Sequence, residues 1–245
     1  MRTDQYLDAI ARESEALATA AARAGLDAQV PSCSDWVVRD LVTHIGNVQR
    51  WATRLVAERP DERISRAHMS ESPADDALLP WFRAATGGLV AALGATDPDA
   101  PVWTFIPGRG MGFWARRQAQ EVTVHRVDAE LAAGGVAPID TELAADGIAE
   151  WLDFATTIVA GNLTGSGETV HLHCTDTGDD VPGEWLLTLT TVGPTVEPVH
   201  AKGDVAARGT ASDLDLYLWG RVDADALEVF GDRALLERTA GAGRF

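Results

Sequence analysis

Glu121 and His125 stand four residues apart in Phe113-Trp-Ala-Arg-Arg-Gln-Ala-Gln-Glu-Val-Thr-Val-His-Arg-Val-Asp-Ala-Glu130, a stretch that reads as one uninterrupted helix. At that spacing two side chains stack on one helical face. They share the stripe of Trp114, Gln118, Ala129 and Ala132, the face such a helix turns to a core. A carboxylate and an imidazole there are costly unless something pairs with them. A metal ion is one such partner. His44, inside Trp36-Val-Val-Arg-Asp-Leu-Val-Thr-His-Ile-Gly46, offers a third ligand from another helix. Two imidazoles and one carboxylate leave a tetrahedral zinc one open position, the arrangement of a catalytic site. The same donors also accept iron, nickel or manganese.

The spacing has a second reading. Arg117, one turn before Glu121, would form an ordinary ion pair with it, and His125 would be a hydrogen-bonded core histidine. Asp40 and His44 repeat the carboxylate–histidine spacing, and with 37 acidic residues such matches arise cheaply. Two features favour a metal. His44 falls on the apolar face of its helix, and polar residues crowd the inward stripe where a purely structural helix would carry leucine. Asp128, three residues after His125, and Asp40, four before His44, are placed to accept hydrogen bonds from the imidazoles and orient them.

These side chains need helices to hold them. Apolar residues Leu7, Ile10, Leu17 and Ala21 give residues 4–24 helical spacing. Ser34 is the expected N-cap of a second helix, whose face is Val37, Leu41, Ile45, Val48, Ala52 and Leu55 and which ends by Pro60. Residues 61–73 are polar and aperiodic, a loop. A third helix spans 74–93, where Pro80 and the Gly87-Gly88 pair would kink it. The connection from Gly94 to Gly112 is long, rich in Pro and Gly, and carries Trp103, Phe105 and Met111; loops of that length are often functional. Trp103, Phe105 and Trp114 are expected to line a pocket mouth. Gly134-Gly135 stops the fourth helix, and four helices of similar length point to a bundle, a fold that builds metal sites between facing helices.

The period then changes. Residues 143–160 form a fifth helix, after which Thr169–Thr175, Glu184–Thr190, Thr195–His200 and Val205–Thr210 alternate as strands. Ser212-Asp-Leu-Asp resembles a capping box opening a helix through Leu218-Trp219. A short strand at Leu227–Phe230 and a last helix from Asp232 complete an α+β domain. The expected division is a helical bundle over 1–137 and an α+β domain over 138–245, with the boundary inside 135–167. His171 and His173 project from one strand face and could hold a metal, but no third ligand stands nearby in the sequence. His68 and His200 belong to no motif.

Composition narrows the partners. The chain has 245 residues and a formal net charge of −17, which disfavours nucleic acid and anionic membrane, both of which need basic surface. No apolar run approaches the roughly 20 residues of a membrane span, and the N-terminus lacks a signal-peptide core. Cys33 and Cys174 form no zinc or redox spacing and read as small buried hydrophobes, which suits a reducing cytoplasm.

Three segments carry a resemblance. Ser34-Asp-Trp-Val-Val-Arg-Asp-Leu-Val-Thr-His-Ile-Gly-Asn-Val-Gln-Arg-Trp-Ala52 resembles the second helix of the mycothiol-dependent maleylpyruvate isomerase family, whose N-terminal domain is a DinB-like four-helix bundle. Phe113 to Glu130 resembles that family's metal helix. Tyr217-Leu-Trp-Gly-Arg221 and Leu227-Glu-Val-Phe-Gly-Asp-Arg-Ala-Leu-Leu-Glu-Arg238 resemble its small C-terminal domain, related to sterol-carrier proteins. The resemblance implies that His44, Glu121 and His125 hold a divalent ion, usually zinc. It implies mycothiol as thiol cosubstrate and a small electrophilic substrate, with a dicarboxylate among the possibilities. The thiolate would add to a conjugated cis double bond, allow rotation about the resulting single bond, and leave as the trans product forms. Displacement of a leaving group would instead make the protein an S-transferase. Arg221 is the expected carboxylate-binding arginine of the C-terminal domain, the alternative being a guanidinium capping its own helix. Many family members carry histidine where this chain has Gln49 and Gln120, a departure that bears on the thiol- or substrate-contacting surface. The competing readings are a non-catalytic metal- or ligand-binding regulatory module and a zinc hydrolase.

Overall fold

The computed structural model describes residues 1–65 and 73–243. His68 and most of the expected 61–73 loop lie outside the described residues. The chain divides into two compact units, Met1–Ala137 and Pro138–Phe245.

The first unit is built from α1 (Thr3–Ala24), α2 (Val38–Glu58), α3 (Asp75–Gly94) and α4 (Gly112–Ala132). Packing contacts place α4 and α3 beside α1, and α3 and α4 beside α2, so the order around the bundle is α1, α4, α2, α3. Burial of the periodic apolar faces drives this arrangement. Leu17, Ala18 and Ala21 of α1 meet Leu41, Val42 and Ile45 of α2, Leu78 and Phe82 of α3, and Val122 and Ala129 of α4 in one core. Two polar ties cross it. Arg126 of α4 donates to Glu13 of α1 at 3.0 Å. Gln49 of α2 donates to Ser14 of α1 at 3.0 Å and accepts from Thr86 of α3 at 2.8 Å.

The expected start of the second helix is corrected. The second helix begins not at Ser34 but after Val37, because residues 30–36 form hydrogen-bonded turns and Gln29 bridges to Val37. The helix over 75–94 runs continuously through Pro80 and the glycine pair. That helix also has the length and mean hydropathy of a membrane span, although the sequence shows no uninterrupted apolar run. It packs on α1 and α2 through Leu78, Phe82, Ala85, Leu89 and Leu93, all buried.

The second unit opens with α5 (Thr141–Thr157), capped by Asp140, whose side chain accepts the Leu143 N–H. Five strands follow, β1 (Thr169–Cys174), β2 (Glu184–Thr190), β3 (Gly193–Glu197), β4 (Val205–Gly209) and β5 (Glu228–Gly231), with α6 (Ala211–Leu218) before β5 and α7 (Arg233–Ala242) after it. The sheet order is β3-β2-β1-β4-β5. Among the described residues, only β1 and β4 pair in parallel. Alternation sorts the faces: Val170, Leu172 and Cys174 share the buried side with Trp185, Leu187 and Leu189, while His171, His173 and Glu184 share the other. The cap of α6 is Thr210, which accepts the Asp213 N–H and donates to its carboxylate. Ser212, expected there, instead accepts the Ile139 N–H.

Candidate metal centre

Adjacent helices α2 and α4 bring the three expected ligands together. Nε2 of His44 lies 3.6 Å from Oε1 of Glu121, and Nε2 of His125 lies 3.8 Å from the same oxygen. The ligand atoms all fall within 4.8 Å of one another. Donors on a tetrahedral zinc at about 2.0–2.1 Å lie about 3.3 Å apart, so these residues fit such an ion with small side-chain adjustments. All three are half-buried, His125 most deeply at 13% side-chain exposure.

The ion pair and the ligand set are compatible. Nη2 of Arg117 donates to Oε2 of Glu121 at 2.9 Å, which leaves Oε1 facing both imidazoles. Burial alone would raise the Glu121 carboxyl. The Arg117 guanidinium, the His44 hydrogen bond and the two imidazoles outweigh it and hold the group well below the usual carboxylate range. Glu121 is therefore an anion at neutral pH.

Behind His125 stands Asp128. Its Oδ2 lies 2.7 Å from Nδ1 of His125, and its Oδ1 accepts from Ser32 Oγ at 2.5 Å. With the Nδ1 proton directed at Asp128, Nε2 keeps its lone pair for an ion. Asp40 does not play this part for His44. Its Oδ2 accepts the Val37 N–H at 3.0 Å, so it caps the start of its own helix from an exposed position.

The aromatic residues expected at a pocket mouth form one cluster. Trp114 is fully buried; its ring packs on Trp51, Phe105 and Phe113 at centroid distances of 5.1, 5.1 and 5.2 Å. Its indole N–H donates to the Trp103 carbonyl at 2.8 Å. Trp103 and Phe105 join the same cluster, 5.2 Å apart. Trp114 comes seven residues before Glu121, about 10 Å along the axis, so this cluster closes the start of α4. Gln49 and Gln120 are also buried in the bundle, Gln49 tied to α1 and α3.

Sequence reasoning missed Trp36 and Ser32. The Trp36 ring lies 4.9 Å from His44 and stacks 6.3 Å from His125. An open cavity of about 480 Å³ lies beside His44, lined by Asp35, Trp36, Arg39, Asp40 and Thr43. The signal was present in the turn-rich stretch before α2, but only folding lays that turn over the imidazoles.

Residues 7–130 match the Mycothiol maleylpyruvate isomerase N-terminal domain, and residues 142–238 match the MDMPI C-terminal domain. The chain belongs to the mycothiol-dependent maleylpyruvate isomerase family. A crystal structure of the mycothiol-dependent maleylpyruvate isomerase superposes with a TM-score of 0.65 at 16% identity, covering 94% of this chain and 93% of that one. A mutant of that enzyme matches with the same score and coverage at 14% identity. No curated protein matches the sequence. At these identities the solved structures share this chain's fold, a helical bundle followed by an α+β domain.

Two expected roles outside the bundle can be placed. Arg221 lies just past α6, where Nη1 donates to the Trp219 carbonyl at 2.7 Å, the helix-capping arrangement. Cys174 is buried on the core side of β1. Burial, with Asp176, Asp215 and Glu184 adding to it, pushes its thiol up to about 12, so it stays protonated and inert at neutral pH. Neither cysteine forms a disulfide.

Proposed function

We propose that this family member is a metal-dependent enzyme that uses a low-molecular-weight thiol, mycothiol by family, to isomerise a small electrophile or to join it to the thiol sulfur by displacing a leaving group. His44, Glu121 and His125 would hold the ion. The observation that carries the reading is the convergence of both imidazole Nε2 atoms on Oε1 of Glu121 from two adjacent helices. A divalent ion, zinc by family resemblance, would lower the pKa of a thiol and favour the thiolate at neutral pH.

The chain's own residues prepare the site. Asp128 sets the His125 tautomer, and Arg117 keeps Glu121 ionised and fixes its carboxylate plane. Trp36 shields both imidazoles on one side, which leaves approach through the cavity beside His44. A space of about 480 Å³ suits a small thiol and a small substrate.

The test uses untagged protein purified without chelator. Elemental analysis should find a bound divalent metal, and adding mycothiol to the cobalt-substituted protein should shift its visible absorption. His44→Ala and Glu121→Gln should each abolish the thiol-dependent shift. A spectrum indifferent to mycothiol would leave a metal-binding module without thiol chemistry. Protein whose metal content and thiol response are untouched by both substitutions would overturn the site.

A further inference from the structure

Three of the chain's six histidines gather around one carboxylate in the second unit. His171 and His173 project from the same face of β1, and Glu184 of β2 stands directly opposite His173 in the antiparallel register. Nε2 of His171 lies 3.0 Å from Oε2 of Glu184, and Nδ1 of His173 lies 3.6 Å from it. The third imidazole comes from a different part of the chain. His200 belongs to the connection 198–204, which leaves β3 at one edge of the sheet and crosses β2 and β1 to start β4. Its Nδ1 reaches Oε2 of Glu184 at 2.6 Å.

We infer that His171, Glu184 and His200 form a second divalent transition-metal site, with His173 available as a fourth donor and zinc as the fitting ion. The donor atoms of His171, Glu184 and His200 lie within 4.8 Å of one another. Their contacts of 2.6 and 3.0 Å, with 3.6 Å for His173, bracket the roughly 3.3 Å between donors on a tetrahedral zinc. The three rings stand 5.6 to 6.0 Å apart, at 71° to 87° to one another. They approach one point from three directions and do not stack. Imidazole-rich donors select zinc, copper or nickel over magnesium or calcium, which prefer oxygen ligands.

The surroundings support the assignment. The His171 side chain is only 5% exposed, so its ring is held by packing, while that of His200 is 77% exposed and leaves solvent a path to the centre. Arg208, opposite His173 on β4, is engaged with Glu228 at 3.2 Å. The crossing segment is anchored beside the site: Asp204 accepts from the Thr169 backbone and hydroxyl, each at 2.8 Å. Gly203 passes so close that a Cβ there would lie 3.1 Å from the His171 backbone nitrogen. An ion would thus fasten the crossing segment to the open face of the sheet. The inference is independent of the centre in the bundle.

The test is zinc titration of the metal-free, untagged full chain by calorimetry, in wild type and in His44→Ala/His125→Ala protein. The double variant should still bind about one equivalent at micromolar or tighter affinity. Adding His200→Ala should remove it, and Glu184→Gln should weaken it by about tenfold or more. The exposure of His200 makes its truncation safe for the fold, which far-ultraviolet circular dichroism checks. Loss of zinc binding in the double variant, or binding indifferent to His200→Ala, overturns the second site. So does millimolar affinity, which marks an adventitious surface ion. A double variant that matches wild type in stoichiometry instead removes the bundle centre and leaves this site standing.

Discussion

Asp128 is the residue on which the proposed bundle centre depends without touching an ion. It is fully buried, and its two oxygens meet Ser32 and His125 at 2.5 and 2.7 Å. A carboxylate in that place accepts the Nδ1 proton and leaves Nε2 free to coordinate. Asparagine could turn its amide toward Nδ1 and drive the proton onto Nε2, the wrong tautomer for a ligand. Asp128→Asn should therefore lower metal affinity about 10–100-fold while the protein stays folded. Competition against a chelator measures it, and unchanged affinity would refute the orienting role. The ligand triad was readable as spacing, because four residues of helix bring Glu121 and His125 together by local geometry alone. The roles of Ser32, 96 residues from Asp128, and of Trp36 were not readable, because nothing local encodes that approach. Asp40 shows the reverse failure. Its position four before His44 also suits a helix cap, and the unsatisfied N–H at the start of α2 claimed it.

At the scale of elements, the candidate ligands are only as well placed as α2 is against its neighbours. Gly46, two residues after His44, lies against Trp81 of α3. A Cβ there would collide with the Trp81 ring, which also lies 5.8 Å under the Arg50 guanidinium. Gly46→Ala should destabilise the protein by about 1–3 kcal/mol through overpacking. Urea unfolding measures this, and the penalty should largely vanish in a Trp81→Leu background, since the clash is with that ring. An equal penalty in both backgrounds would place the strain elsewhere. The helix over Thr3–Ala24 follows the apolar period in the sequence closely, because burial of one face is what forms it, whereas Gly112–Ala132 is buried around most of its circumference and carries no such period. Helix starts were less legible. Ser34 and Ser212 are good caps by type, but Val37 and Thr210 hold those positions because turns and hydrogen bonds to distant segments fix where each helix begins.

For the whole molecule, the formal net charge of −17 is a property every residue shares. Like charges spread over a surface repel in the compact state and are screened over about 10 Å at 0.1 M salt. Raising sodium chloride from about 10 to 200 mM should raise the thermal midpoint by about 2–4 °C, equivalent to roughly 1 kcal/mol for a chain of this size. A midpoint that falls with salt would mean that attractive ion pairs, such as Arg83 with Glu15 at 2.7 Å, outweigh the repulsion.

The sequence by itself marked most of the elements and the candidate ligands of the proposed bundle centre, because hydrophobic period and i, i+4 spacing are local quantities. Family membership was legible for the same reason, carried by motifs along single helices. The tertiary structure alone decided what meets across the chain. It paired β1 with β4 in parallel, which no turn signal announces, and so sent residues 198–204 across the sheet. That crossing brings His200 to Glu184 and His171, three residues whose separations in sequence follow no motif. Contacts of this kind depend on loop closure and packing summed over the whole unit, and a reading of local spacing cannot contain them.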